Sequence, residues 1–344
     1  MKRLADTDFL KIAKITLGTA AAAAIAAALK LDYAVSAGII CLLTIQDTRK
    51  ETLSVTAKRM IAFAVVTVLC AAVFTHFGYS LVSLAAVIAL FLFVCMTFGM
   101  NEAIAMNSVI ATHYFSSADC SLEMIMNEMM LLAAGAGTGI LLNIFVPVNI
   151  RKIRCIQGQT DERIRQILSR MSVYILNEDR SDYTGSCFEE SSKLLECLRT
   201  EAVRYIGNSF SSEKDYFYKY MLMRMEQCGI LSRIYTDIIR LAPIEEYGRP
   251  ISDFLIKMSV EFHEINDANS LLAEIDRLFR HYSTSPLPET RSEFESRALM
   301  YHILCDLKRF VQLKYDFAAG LSDKEKSIYW NSTDRNKGKL RKNT

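Results

Sequence analysis

Apolar residues are spread unevenly along this chain. Up to Asn149 they form long uncharged runs, and beyond it they recur at helical spacing with charges between them. Segments 12–29, 60–75, 81–100 and 129–148 have room to cross a hydrocarbon core of about 30 Å, which takes roughly 20 helical residues. Two shorter apolar stretches, 33–45 and 103–115, lie between them. Counting all six as spans puts both chain ends on one side of a bilayer. A rival count of five spans, with one short stretch buried or re-entrant, moves one basic cluster to the other side. The first run is long and soon followed by another, with no evident cleavage site between, so a signal peptide is not expected.

In the second half, Ile164, Ile167, Leu168, Met171 and Ile175 set the pattern of an amphipathic helix. Five such helices are predicted, at 160–176, 188–206, 212–241, 251–282 and 289–321. Gly207-Asn208-Ser209, Pro243 with Gly248 and Pro250, and residues 283–288 fall between them as breakers. No alternating strand pattern competes. The expected fold class is all-α: a six-helix transmembrane bundle over 1–149, an antiparallel cytoplasmic helical bundle over 150–330, and a disordered basic tail over 331–344. The tail carries Lys337, Lys339, Arg341 and Lys342, suited to anionic lipid.

The placement of charge orients the spans, because Lys and Arg beside a span resist translocation while acidic residues matter little. Lys2, Arg3, Lys11 and Lys14 precede the first span, Arg49, Lys50, Lys58 and Arg59 lie between the second and third, and Arg151, Lys152 and Arg154 follow the sixth. In a six-span count all three clusters share one side. The other side receives Lys30 with Asp32, Asp119, Glu123 and Glu128. The expected topology is therefore a multi-pass plasma-membrane protein with both termini cytoplasmic. The overall hydrophobic share of 51% and net charge of +2 average over two unlike halves and add little.

Nine scattered cysteines make no C-x-x-C pair and read as buried hydrophobes or cytosolic thiols. No catalytic, metal or cofactor constellation emerges, so the chain does not read as an enzyme. His263-Glu264 begins an H-E-x-x-H pattern, but Asp267 stands at the last position, and a solvated helix face is the expected reading. Tyr216, Phe217, Tyr218 and Tyr220 read as bundle core and rim rather than a ligand pocket. Gly135-Ala136-Gly137-Thr138-Gly139 lies in a span without a following lysine, so it is no phosphate loop, and no nucleic-acid motif occurs.

The first span is rich in alanine and the sixth in glycine, with Gly135 and Gly139 the candidate helix-packing positions. Small residues allow close backbone approach where lipid gives no hydrophobic drive. The spacing suits a dimer or pore-lining seam and ordinary packing inside one bundle equally. The two short stretches need their polar flanks to reach across the core, and polar groups at that depth require protein or water. A solvated cytoplasmic vestibule lined by Gln46, Asp47, Arg49, Asn101 and Glu102 is the leading expectation, against interfacial anchoring at helix ends. Asn143 serves either as interhelical glue or as a path-lining amide. His113 reads as a satisfied interfacial histidine or as a proton-responsive group, since imidazole titrates near neutrality.

Lys14 with Gly18, Ala37-Gly38-Ile39-Ile40 leading to Ile45-Gln46-Asp47-Thr48, Arg59, Gly78, and the glycine-rich sixth span with Asn143 resemble the aromatic acid exporter family. That family sits with fusaric acid resistance and p-hydroxybenzoate efflux proteins, and more distantly with plant aluminium-activated malate transporters. Asp47 stands where a proline commonly follows the glutamine, and Ala62 where a glycine is frequent. The resemblance implies an efflux protein whose six-span chains pair in the bilayer as homodimers. With cationic side chains at the inner mouth, the expected reading is secondary export of a small organic, aromatic anion bound near Gln46, Asp47, Arg49, Arg59, Asn101, Glu102 and Asn143, with Glu102 or His113 coupling transport to protons. An anion channel, or a non-transporting membrane anchor whose helical domain senses a ligand, are the alternatives.

Overall fold

The computed structural model describes residues 9–144, 150–182, 184–209 and 215–330. Lys2, Arg3, the side chain of Lys11, the composition break at Asn149 and the basic tail 331–344 lie outside the described residues. Among the described residues every regular element is a helix. Contacts divide the chain into two compact units, which separate near the Val148–Asn149 junction.

The first unit contains α1 (Phe9–Ala28), α2 (Ala34–Thr44), α3 (Arg49–Phe77), α4 (Leu81–Thr97), α5 (Ile104–Ser117) and α6 (Leu122–Ile144), with a 3-10 turn at Asn101–Ala103 before α5. Among the described residues, α3 and α6 alone combine the length and the apolarity to cross a membrane. Shorter apolar helices occupy Ile12–Ala28, Ala34–Thr44 and Leu81–Thr97. At 1.5 Å per residue α3 is about 43 Å long, α6 about 35 Å, and α2 only about 17 Å.

Two boundaries differ from the sequence expectation, and both matter. The third run was expected to open at residue 60, but α3 starts at Arg49, where Thr48 caps it by accepting from the Glu51 amide at 3.3 Å. Arg59 therefore lies well inside a helix. The sixth run was expected from residue 129, but α6 starts at Leu122 with Ser121 accepting from the Met124 amide. Glu123 and Glu128, assigned to a connection by the charge count, are helical residues instead.

The polar connections sort to two ends. Arg59 meets Glu102, so the α2–α3 and α4–α5 connections share one end, here the basic end. Asn127 meets the Asp32 backbone, so the α1–α2 and α5–α6 connections share the other, acidic end. Between the ends the core is apolar, built on residues such as Ala26, Cys41, Val66, Cys70, Phe91, Cys95, Ile110 and Leu131. The outer surface is apolar too: Leu17, Val35, Val68, Val82, Phe93 and Met96 are each at least 67% exposed. A contiguous apolar exterior of this kind suits lipid rather than water.

Glycines set the closest helix contacts. A Cβ on Gly135 would lie 2.6 Å from the Ala37 carbonyl oxygen and 2.6 Å from the Ile40 Cβ, and one on Gly139 would lie 2.9 Å from the Thr44 Cβ. Both glycines thus seat α6 against α2 within one chain. Gly137, between them in sequence, has nothing within 4 Å of its Cβ position.

The second unit contains α7 (Ile150–Tyr174), α8 (Ser186–Gly207), α9 (Tyr216–Arg240), α10 (Glu245–Glu261), α11 (Asn269–Thr284) and α12 (Arg291–Ala319). Their apolar stripes meet in a core that includes Ile164, Leu168, Met171, Ile230, Ile234, Leu255, Ile303 and Leu307. The helix expected at 251–282 is two helices. Asn266 donates to the Glu261 carbonyl at 2.8 Å and accepts from the Ala268 amide at 2.6 Å, while Ala268 takes a left-handed φ of 63°. These side-chain bonds replace helical ones and turn the chain. Pro250, expected between elements, lies inside α10 near its start. The first helix begins at Ile150, ten residues before its expected start at Thr160.

Candidate functional site

At the basic end, two buried polar nodes flank the α2–α3 connection. The first is built on Asn143, 2% exposed on α6. Its Nδ2 donates to the Thr52 hydroxyl at 2.5 Å and to the Gln46 and Thr48 carbonyls at 3.1 and 3.3 Å. Its Oδ1 accepts from Lys14 Nζ at 3.1 Å. The amide thus holds the connection against α6 and positions a half-buried ammonium from α1.

The second node is built on Arg59, 4% exposed. Nε donates to the Glu102 backbone carbonyl at 3.1 Å and a terminal nitrogen donates to the Thr44 hydroxyl at 3.3 Å. The buried amide of Asn107 on α5 donates to the Arg59 carbonyl at 3.3 Å. Among the described residues Arg59 forms no salt bridge, since the Glu102 carboxylate pairs with Lys58 at 3.2 Å instead. The Glu102 carboxylate acts on the guanidinium across space without bonding to it, and burying the charge still costs free energy that a bonded counter-ion would return.

Of the residues expected at the site, Arg59 and Asn143 are buried with separate partners, Thr44 and Asn107 at Arg59 and Lys14 and Thr52 at Asn143. Gln46 contributes its backbone to Asn143, while its side-chain amide folds back onto the Leu43 carbonyl at 2.7 Å. Asp47, Asn101 and Glu102 are exposed and Arg49 is half-buried. Thr44 and Thr52 carried no signal in sequence beyond their position at helix ends.

At the acidic end lies a separate cluster. His113 on α5 is 7% exposed and Glu128 on α6 is fully buried. The imidazole Nδ1 stands 3.1 Å from both carboxylate oxygens, and Nε2 lies 3.2 Å from the Ser36 hydroxyl of α2. The ring stacks on Tyr33 with centroids 4.1 Å apart and planes at 3°. Asn127 donates to Glu128 at 3.4 Å and to the Asp32 carbonyl at 3.3 Å. His113 was a sequence candidate; its partner was not, and Glu102, the other proton-coupling candidate, is at the opposite end.

The second unit buries charge in paired networks. Arg224 is fully buried, and its Nε donates to Asp161 at 3.0 Å and its NH1 to Gln227 at 2.6 Å. Glu264 is 8% exposed and accepts from Arg154 and from the Tyr216 hydroxyl. It lies in the α10–α11 turn facing inward, which corrects the solvated helix face expected for His263-Glu264. Burial works to raise the Glu264 carboxyl, but the Arg154 charge and the hydrogen bonds of Tyr216 and Gln157 hold it below the usual range. Lys314 donates to the Glu264 carbonyl at 2.5 Å, and burial, reinforced by Arg224, pushes its ammonium down to about 7. Tyr216, Phe217 and Tyr220 are buried core residues. Among the described residues no three His, Cys, Asp or Glu side chains stand together as a metal would require.

Apolar helices that expose apolar surface while burying an arginine and a histidine–glutamate pair define a membrane protein with polar sites inside its helical unit. Comparison with known proteins is specific: residues 8–146 match the family described as "Aromatic acid exporter family member 1", and residues 151–315 match the "Putative aromatic acid exporter C-terminal domain". The chain belongs to the aromatic acid exporter family, a family of transporters. It is 28% identical over 304 residues to the "Uncharacterized protein YqjA" of Bacillus subtilis strain 168, covering 88% of this chain and 94% of that one. A solved structure titled "Crystal structure of putative membrane protein from Clostridium difficile 630" is similar at 26% identity and a TM-score of 0.45, over 49% of this chain and 98% of that chain.

Proposed function

We propose that the chain is a secondary exporter of small organic, aromatic anions in the plasma membrane. In this reading α1–α6 are six spans, the basic end faces the cytoplasm, and the second unit and both termini are cytoplasmic. Two chains pair to form the working unit. The anion enters from the basic end and binds at Arg59, with Lys14, Asn143 and the carbonyl-rich α2–α3 connection around it, in a vestibule edged by Gln46, Asp47, Arg49, Asn101 and Glu102.

The observation that carries this reading is Arg59: a 4% exposed residue whose guanidinium donates, among the described residues, to a carbonyl and a hydroxyl and to no carboxylate. A carboxylate arriving there gains a charge-assisted, forked partner in a low-dielectric site and lowers the cost of burying that charge. The neighbouring aliphatic and aromatic core favours an anion with an apolar ring over a highly hydrated one. Family membership supports transport and efflux as the activity.

The test is direct flux. Full-length protein in liposomes is loaded with labelled 4-hydroxybenzoate under an imposed proton gradient. Saturable movement that unlabelled aromatic carboxylates compete for is the expected outcome. Unitary currents in planar bilayers would instead support a channel, and absence of anion movement under any gradient would remove the reading.

A further inference from the structure

We propose that His113 and Glu128 form the proton-carrying site of the transport cycle, an assignment that rests on the exporter reading above. A carboxylate that is fully buried in an apolar helical unit needs a specific reason to be there, since intramembrane ionisable groups are costly. Among the described residues the carboxylate's titratable hydrogen-bond partner is the imidazole, whose Nδ1 lies 3.1 Å from both its oxygens. With Nδ1 donating to the carboxylate, Nε2 of a neutral ring accepts from the Ser36 hydroxyl. The pair is then a net negative charge held out of water, and uptake of one proton makes it neutral overall.

The surroundings fit a proton site reached from the acidic end. Tyr33 covers the ring from the α1–α2 connection with its own backbone in the left-handed region, φ 57°. Asn127 bridges the carboxylate to the Asp32 backbone. The titratable groups shown to face the pair are the phenols of Tyr33, stacked on the ring, and Tyr114, held at Thr67 and within electrostatic reach of Glu128; Lys30 and Asp32 lie in the α1–α2 connection, and Asp119, Cys120 and Glu123 lie at the α5–α6 turn. Among the described residues no arginine bonds to or forms an ion pair with His113 or Glu128, and Lys30 is exposed. Protonation therefore falls to the pair itself rather than being preempted by a fixed cation.

The pair is mechanically tied to the anion site. Three helices carry residues of both clusters: Ser36 and Thr44 on α2, Asn107 and His113 on α5, Glu128 and Asn143 on α6. Asn107 holds the Arg59 carbonyl and stands six residues from His113, about 9 Å along the helix. A proton bound on the acidic side neutralises the pair and changes the hydrogen bond between α5 and α6, two helices that also frame Arg59. An anion leaving and a proton entering can thus share one conformational change, with the proton released on the basic side when the anion site refills.

The test uses full-length protein in liposomes. pH-difference infrared spectroscopy should show a buried carboxyl or imidazole band in the wild type that Glu128→Gln and His113→Gln each abolish. In flux assays Glu128→Gln should lose proton-driven accumulation of 4-hydroxybenzoate by at least about tenfold while retaining exchange of labelled for unlabelled anion. Size-exclusion profiles, with the His113→Gln/Glu128→Gln double variant as a neutral control, separate misfolding from loss of coupling. A missing titration band in the wild type, or unaltered proton-driven accumulation in folded Glu128→Gln, overturns the assignment. A titration band that depends on both residues, found in protein that moves no anion, keeps the proton site and fails the exporter reading instead.

Discussion

Lys14 on α1 and Asn143 on α6, 129 positions apart in sequence, meet at 3.1 Å, and the same asparagine donates to three oxygens at the start of α3. One side chain thereby ties α1, α6 and the α2–α3 connection together. In Asn143→Ala the Thr48 carbonyl and the Thr52 hydroxyl lose a donor. A stability loss of about 1–3 kcal/mol is expected, read as a lower thermal midpoint of the purified full-length protein.

Arg59 offers a sharper contrast between fold and function. Arg59→Lys keeps the charge but loses the fork that reaches both Thr44 and Glu102, and a point charge does not replace a planar one at such a site. Its anion KM should rise by roughly tenfold with the protein still folded. Arg59→Gln, which removes the cost of burying the charge, should be at least as stable as the wild type and inactive in flux.

Glu102 tests which acidic residue matters. Its bond to Lys58 is between two exposed side chains, with 37% and 49% of their surface open. Exposed pairs contribute little, so Glu102→Gln should leave thermal stability and proton dependence of flux nearly unchanged. A collapse of proton-driven accumulation in that variant would return the coupling role to the basic end.

Packing at the α2–α6 seam separates two neighbouring glycines. Gly135→Ala must push α6 away from the Ala37 carbonyl, whereas Gly137→Ala enters open space. The first should lower the thermal midpoint by several degrees. The second should be neutral or stabilising by about 0.5–1 kcal/mol, the usual helix gain of alanine over glycine.

Lys314 gives the second unit a pH signature. Its folded-state value of about 7 lies below the ordinary 10.5, so between those values the unfolded chain holds a proton that the folded chain lacks. Unfolding free energy therefore rises with pH across that window, and below about 7 the protonated ammonium is buried at a cost. Relative to Lys314→Met, the wild type should gain stability from pH 7 toward pH 10, measured as the difference in thermal midpoints. A difference that stays flat with pH would contradict the burial of a neutral amine.

The helical character and the α3 and α6 apolar lengths were legible because hydropathy and periodicity are local properties. Arg59, His113 and Asn143 were legible too, as polar residues inside or beside apolar runs. Glu128 was not, because counting charge by run assigned it to a connection, and its pairing with His113 joins neighbouring helices with no periodic trace. Glu264 was hidden for a related reason: its helix pattern continued through residues 262–268, and only the Asn266 side chain shows why the chain turns there. Thr44 and Thr52 are ordinary helix residues until the fold brings them to Arg59 and Asn143.

The central claim is that the buried Arg59, which among the described residues bonds to no carboxylate, binds the anion of the proposed transport. Initial flux of labelled 4-hydroxybenzoate into liposomes, with wild type and Arg59→Gln compared at equal reconstituted amount, tests it most directly. Saturable wild-type flux that falls by at least about tenfold in the folded variant is the expected result. Equal flux in the two proteins, or none in the wild type with any aromatic carboxylate, would contradict it.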